Sequence, residues 1–362
     1  MATKRSDLID YELTRYYHCC TRAVRAAFII EQLSSKLRRK KANKPQYSQA
    51  SPKINRRAWL EQRILFLPSV FAIEVCAYAV MSNHYHVVLK ANPEKVASWS
   101  DLEVLKRWHQ LYQGTETSRA YLAGLPMSPA QQTGLSTMIK QCRQKLADIS
   151  WFMRNINEPL ARLANKEDGK KGRFWESRFK SQALLDEQAL LTCMAYVDLN
   201  PIRANMANTV LDSHYTSGKL RAKAAKQAMK THKKATVVNH IKAQPPALSA
   251  FCTRALKQAT ESNTVPNAAP KYIEFAAADY LELLDATGRC IREDKRGYIH
   301  QQQPKLLSQL GIQPQQFIEH SRHFSSRFHR FIGCLSHIKQ ACAFCHINRS
   351  QGEADAKQLF GC

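Results

Sequence analysis

Residues Phe71 to Lys90 constrain the fold more than any other part of the chain. Two apolar arms, Phe71 to Val80 and His84 to Lys90, flank Ser82-Asn83. Both have strand length and are rich in β-branched and aromatic residues. The polar pair between them suits a turn, so the segment predicts a β-hairpin. Successive strand side chains point to opposite faces. His84, His86 and Val88 are thus predicted on one face, with Tyr85, Val87 and Leu89 on the other. Two imidazoles side by side at the start of an apolar strand suit a metal ion. A strand end that merely carries two surface histidines also fits.

Further elements follow from local pattern. Tyr16 to Arg22 predicts a first strand. Arg56 to about Phe66 predicts a helix with Trp59, Ile64 and Leu65 facing inward. A mostly helical stretch is expected from about Trp99 to Ile156, then a charged loop from Lys166 to Gly172. Arg173 to Lys180 alternates and reads as a strand, with Trp175 and Phe179 opposite Arg178 and Lys180. Asp186 predicts an N-cap for a helix from Glu187 to about Leu199.

Charge narrows the class of partner. The 362 residues hold 54 Lys and Arg against 29 Asp and Glu, a formal net charge of +25. That excess points to a polyanion, most simply nucleic acid. No apolar run approaches the length of a bilayer span, so a membrane partner is not expected. The polar start Met1-Ala2-Thr3-Lys4-Arg5-Ser6-Asp7 reads as no export signal, so the 11 cysteines are expected as reduced thiols in a cytoplasm. Cys342-Ala343-Phe344-Cys345-His346 has haem-attachment spacing but reads as ordinary helix. A second CxxC that would complete a zinc site is missing, so zinc is not expected.

The helix after Asp186 ends in Ala195-Tyr196-Val197-Asp198-Leu199-Asn200-Pro201-Ile202-Arg203. Tyr196 and Asn200 are spaced i, i+4 and share a face if the helix persists that far, which Pro201 disfavours. A core tyrosine followed by an Asn-Pro turn is the plainer reading. Together, a His-x-His strand, this tyrosine and strong positive charge suit one reaction, the metal-assisted attack of a tyrosine hydroxyl on a DNA phosphodiester. His84, His86 and the Asn200 oxygen would hold one divalent ion, and these ligands suit Mn²⁺ at least as well as Mg²⁺. Trp175 offers a surface for stacking unpaired bases, beside Arg173, Arg178 and Lys180 on the phosphate backbone; core packing is the alternative.

The motifs Tyr17-His18, Met81 to His86, Gly172 to Phe179 and Tyr196 to Arg203 occur in an order that resembles the single-tyrosine HUH transposases. The likeness is closest to their REP-associated branch and spans roughly residues 10 to 210. It implies a ferredoxin-like antiparallel sheet with packed helices, an α+β fold, with the two histidines on a central strand. It also implies His84 and His86 as metal ligands, Tyr196 as nucleophile, Asn200 as third ligand, and a DNA-contacting role for Arg203. The implied partners are single-stranded DNA hairpins, among them repetitive extragenic palindromes. The implied setting is the bacterial cytoplasm at the nucleoid, as a monomer or an oligomer.

Expected organisation is a catalytic domain over 1–215, a basic linker region over 216–270, and a mainly α-helical C-terminal domain over 271–362. Lys219 to Lys234 reads as an exposed helix or linker, and the next stretch is weakly patterned with prolines at 245, 246, 266 and 270. Gly311 between short helical pieces fits a helix-turn-helix or a plain hairpin, and Arg322, Arg327 and Arg330 near Phe324, Phe328 and Phe331 fit DNA contact or core packing. Two other functions compete. One is a domesticated transposase that binds hairpins without cutting. The other is a two-histidine phosphoesterase, for which His214-Tyr215-Thr216 is the single loose match.

Overall fold

The computed structural model describes residues 8–24, 54–231, 244–252, 272–291, 330–348 and 350–360. Its centre is a five-stranded sheet: β1 (Tyr16–Arg22), β2 (Ile73–Val80), β3 (His84–Ala91), β4 (Lys180–Leu184) and the two-residue β5 (Phe331–Ile332). The spatial order is β2-β3-β1-β4-β5. The first four strands run antiparallel, and β5 joins β4 in parallel. Helix α1 (Arg56–Phe66) connects β1 to β2. The connection from β3 to β4 contains α2 (Pro93–Ala97), α3 (Asp101–His109), α4 (Glu116–Leu122), α5 (Pro129–Leu146) and α6 (Ile149–Asp168). A β-α-β-β-α-β chain with this strand order is the ferredoxin-like arrangement. Helix α7 (Glu187–Asp198) follows β4, and short α8 (Asn200–Arg203) follows it.

The predicted hairpin forms as read: β2 and β3 pair across residues 81–83, and Met81 N–H donates to His84 O at 2.9 Å. Register divides the sheet into two faces. Thr21 pairs with Tyr85 and Tyr78 with Val87, on the face covered by α1 and α6. There Tyr85 donates its hydroxyl to Asn157 at 2.7 Å, and Tyr78 donates to Glu61 at 2.7 Å. The opposite face carries His18, His84, His86 and Gln182 and is covered by α7.

Local chemistry sets the ends of these elements. Asn55 caps α1 by accepting from Ala58 N–H, and Asp186 caps α7 by accepting from Ala189 N–H at 2.8 Å. Gly169, at φ 61°, ends α6 in the left-handed conformation that glycine tolerates. In α1 the inward residues are Arg56, Leu60 and Ile64, whereas Trp59 and Leu65 are only half-buried. Arg56 is inward because Glu167 and Asp168 pair with it at 3.0 and 2.7 Å.

Three sequence expectations need correction. Arg173 to Phe179 is not a strand; β4 begins at Lys180. The buried aromatics there, Phe174 and Phe179, lie five positions apart, an odd spacing that alternation cannot place on one face. The segment touches β1 through a single bridge between Trp175 and Ala23. Residues 217–231, read as an exposed helix or linker, form α9 (Ser217–Thr231), which packs on β2 rather than standing free. Its Arg221 is buried and donates to Cys76 O and Ser249 O at 2.9 Å each. The described part of 271–362 does not form a separate core. Helix α10 (Ala277–Ile291) packs on α7, α8 and α9, and β5 extends the central sheet. It is followed by α11 (Leu335–Phe344) and α12 (Glu353–Phe360). The Gly311 segment and residues 322–329 lie outside the described residues. No helix among the described residues is long and apolar enough to cross a membrane.

Candidate metal and nucleophile site

The His84/His86 face gathers polar side chains from three strands. Cys20 pairs with His86 and His18 pairs with Val88, so His18 and His86 are diagonal neighbours on adjacent strands. Their rings stack at 5.1 Å, and His18 Nε2 lies 2.9 Å from His86 Nδ1. On the other side of β1, Gln182 is the direct cross-strand partner of His18, with its Oε1 at 2.7 Å from His18 Nδ1.

This chain of contacts determines where the protons sit. An amide oxygen only accepts, so His18 Nδ1–H donates to Gln182. His18 Nε2 is then the acceptor for His86 Nδ1–H, and His86 Nε2 keeps its lone pair. That nitrogen is buried and has no hydrogen-bond partner. His84 is set the same way over one step: Asn83 Oδ1 lies 2.6 Å from its Nδ1, which leaves the lone pair on Nε2. The two rings meet edge to face at 4.9 Å.

Electrostatics keep the imidazoles neutral. Burial lowers the pKa of His18 to about 4. Burial, reinforced by the Arg22 charge, lowers His84 to about 4. His86 falls well below its ordinary value, first through burial and then through His84, His18, Arg203 and Arg22 around it. Neutral imidazoles with free lone pairs are the form that binds metal.

Tyr196 lies against this cluster at 5% exposure. Its ring stands edge-on to His86 at 5.6 Å and to His18 at 6.2 Å, with the Arg203 guanidinium 4.7 Å from its centroid. Both ends of α7 are fixed. Asp186 caps the start, and Asp198 near the end is fully buried, accepting from Ser217 Oγ, from Gly218 N–H at 2.7 Å and from the Tyr280 hydroxyl at 2.7 Å. Burial raises the Asp198 carboxyl pKa, against the lowering pull of these donors.

Helix α7 stops at Asp198, and Asn200 opens α8 with Pro201 in its first turn. Asn200 is buried, and its Nδ2 has no hydrogen-bond partner. Rotating the amide by half a turn would present its oxygen there instead. By donor type, two imidazole nitrogens and an amide oxygen suit a divalent Mn²⁺ or Mg²⁺ ion.

The other named residues divide. Arg203 reaches the cluster, while Arg173, Arg178 and Lys180 are exposed on the segment leading into β4. Trp175 is half-buried, donates its indole N–H to Asn157 O at 2.9 Å and stands edge-on to Tyr85 at 5.8 Å. His214 is exposed beside Lys219 Nζ at 2.8 Å, and no ring contact joins it to the three clustered histidines. His18, Gln182, Asn83 and Arg22 are the members that sequence reasoning left without a role. The alternation His18, Cys20, Arg22 placed two of them on one face of β1; only the strand pairing placed that face beside His86.

No family model and no curated protein matches the chain. Among solved structures, one of a REP-associated tyrosine transposase bound to a REP hairpin is similar at 13% identity, over 62% of this chain and 86% of that one, with a TM-score of 0.32. At that score the likeness bears neither on fold nor on function here.

Proposed function

We propose that this chain is a single-tyrosine HUH transposase that cuts and rejoins single-stranded DNA beside hairpins through a 5′-phosphotyrosine intermediate. The observation that carries the reading is the proton relay Gln182–His18–His86, which leaves a buried, unpartnered His86 Nε2 beside the Tyr196 ring. An unsatisfied buried nitrogen costs stability, and a ligand bound beside Tyr196 would satisfy this one.

His84, His86 and Asn200 would hold the ion. When bound, a divalent cation supplies Lewis acidity to a non-bridging phosphate oxygen. Tyr196 Oη attacks phosphorus: the phosphorus–tyrosine bond forms, the bond to the 3′ oxygen breaks, and that oxygen leaves as a 3′ hydroxyl with a proton that balances the one lost by the phenol. Arg203 and Arg22 add positive charge beside the phosphate, and the exposed Arg173, Arg178 and Lys180 would guide the DNA backbone.

The test incubates the full chain with labelled single-stranded hairpins in Mn²⁺, in Mg²⁺ and in chelator. A covalent adduct that needs metal and disappears in Tyr196→Phe supports the reading. Hairpin binding with no adduct in any metal would establish the domesticated, binding-only alternative instead. The bacterial cytoplasm and hairpins of the repetitive extragenic type belong to the same proposal.

A further inference from the structure

A second cluster of ligand-type side chains lies away from the histidine face, where the C-terminal segment meets the start of α7. Asp186, Cys334 and His337 place one ligand atom each within 4.8 Å of the other two. His337 Nδ1 is 3.0 Å from Asp186 Oδ2 and 3.3 Å from Cys334 Sγ. We propose that these three residues form a zinc site that clasps the C-terminal segment onto the N-terminus of the Tyr196-bearing helix.

The distances fit such an ion. With Zn–S of about 2.3 Å and Zn–N and Zn–O of about 2.0–2.1 Å, a tetrahedron has N–O and S–N edges of roughly 3.3 and 3.6 Å. The observed 3.0 and 3.3 Å need to open by only about 0.3 Å. A thiolate, an imidazole and a carboxylate are a zinc set; a thiolate is a poor ligand for the hard cations proposed at the histidine face. The Cys334 thiol is buried, while His337 is 45% exposed, so water has access to the fourth position.

The backbone is shaped around the carboxylate. Cys334 N–H donates to Asp186 Oδ2 at 2.9 Å, and a Cβ on Gly333 would meet that oxygen at 2.8 Å and Leu185 Cβ at 3.0 Å. A side chain at position 333 would have to push the Asp186 carboxylate and Leu185 aside. The strand ladder this clasp would reinforce is short: β5 pairs with β4 over two residues. A cysteine–histidine–aspartate catalytic triad does not fit, since Asp186 and Cys334 both address the same nitrogen of His337. A relay needs one partner on each ring nitrogen. The Cys342 and Cys345 pair takes no part in the cluster.

The site stands independently of the transposase reading, and so does its test. The metal-free full chain is titrated with Co²⁺ as a spectroscopic stand-in for Zn²⁺, followed by competition with Zn²⁺. One equivalent should bind with thiolate-to-cobalt charge-transfer absorption and tetrahedral d–d bands. Zinc should displace it. Cys334→Ser should abolish the charge-transfer band and weaken zinc binding beyond the roughly 100-fold that loss of an outer partner costs. Asp186→Asn keeps an N-cap for α7 while weakening the ligand set, and should lower zinc affinity with the fold intact. The band should persist in His86→Ala and in Cys345→Ser. Wild-type protein without a charge-transfer band, or a band that survives Cys334→Ser or vanishes in Cys345→Ser, overturns the proposal.

Discussion

The two faces of β3 are built from adjacent residues and solve opposite problems. On one, Tyr85, Val87 and Leu89 are fully buried, and the one polar atom, the Tyr85 hydroxyl, has Asn157 as partner. On the other, His86 is also enclosed yet keeps a nitrogen with no partner, and burial, then its neighbours, drive its pKa down. The first face is what packing alone produces. The second carries an unfavourable group that packing does not explain, and that asymmetry separates a site from a core within one strand.

The comparison breaks most readily at its extremes. His86→Ala should leave a folded protein that still binds hairpins but forms no more adduct than wild type does in chelator, as read by gel assay beside a thermal melt. On the other face, Leu89→Ala should cost about 2–5 kcal/mol of folding stability in denaturant titration, with cleavage per folded molecule unchanged. Cleavage loss from Leu89→Ala at full stability would show that the faces are not independent.

Acid should weaken the histidine face in particular. Unfolded histidine takes up its proton near pH 6.5, whereas His18 and His84 in the folded chain do so at about 4. Between those values the unfolded state binds more protons, so stability rises with pH. The contribution is complete above pH 6.5 and is lost as pH falls to about 4. For buried His18 it amounts to about 3 kcal/mol, at 1.36 kcal/mol per pH unit. Denaturant titrations of metal-free wild type and His18→Phe across this range check it: the variant should lose a share of the slope, and parallel curves would refute the assignment.

Smaller effects sharpen the relay. Gln182→Leu removes the acceptor that orients His18 and should weaken Mn²⁺ binding about 10–100-fold, while Gln182→Glu, which keeps an oxygen there, should retain it. Equal affinities in the two variants would show that the relay does not set the tautomer. Tyr85→Phe deletes the bond to Asn157 and should cost about 1 kcal/mol of stability with metal affinity unchanged.

Much of this was legible because it is local. Period-two alternation placed His84 and His86 together, the turn residues at 82–83 closed the hairpin, and Asp186 announced α7. What stayed hidden depends on pairing between distant segments. His18 is 68 positions from His86, and Gln182 is 164 positions from His18. Asp186 and His337 lie 151 positions apart, so CxxC spacing carries no sign of the cluster they share with Cys334. Arg173 to Phe179 misleads for the complementary reason: it has local alternation, but its neighbours offer a single bridge rather than a ladder. Asn200 fell between the two cases, because a helix that stops at Asp198 and restarts at Asn200 does not fix a side-chain direction by spacing alone.

The central claim is that the histidine face serves the tyrosine beside it. The most direct test digests the protein–DNA adduct and locates the modified peptide by mass spectrometry. The account predicts a single 5′-phosphonucleotide on Tyr196, formed only with Mn²⁺ or Mg²⁺ and absent from His84→Ala and His86→Ala. A nucleotide on another residue, or an adduct at Tyr196 that forms equally well without the two histidines, would contradict it.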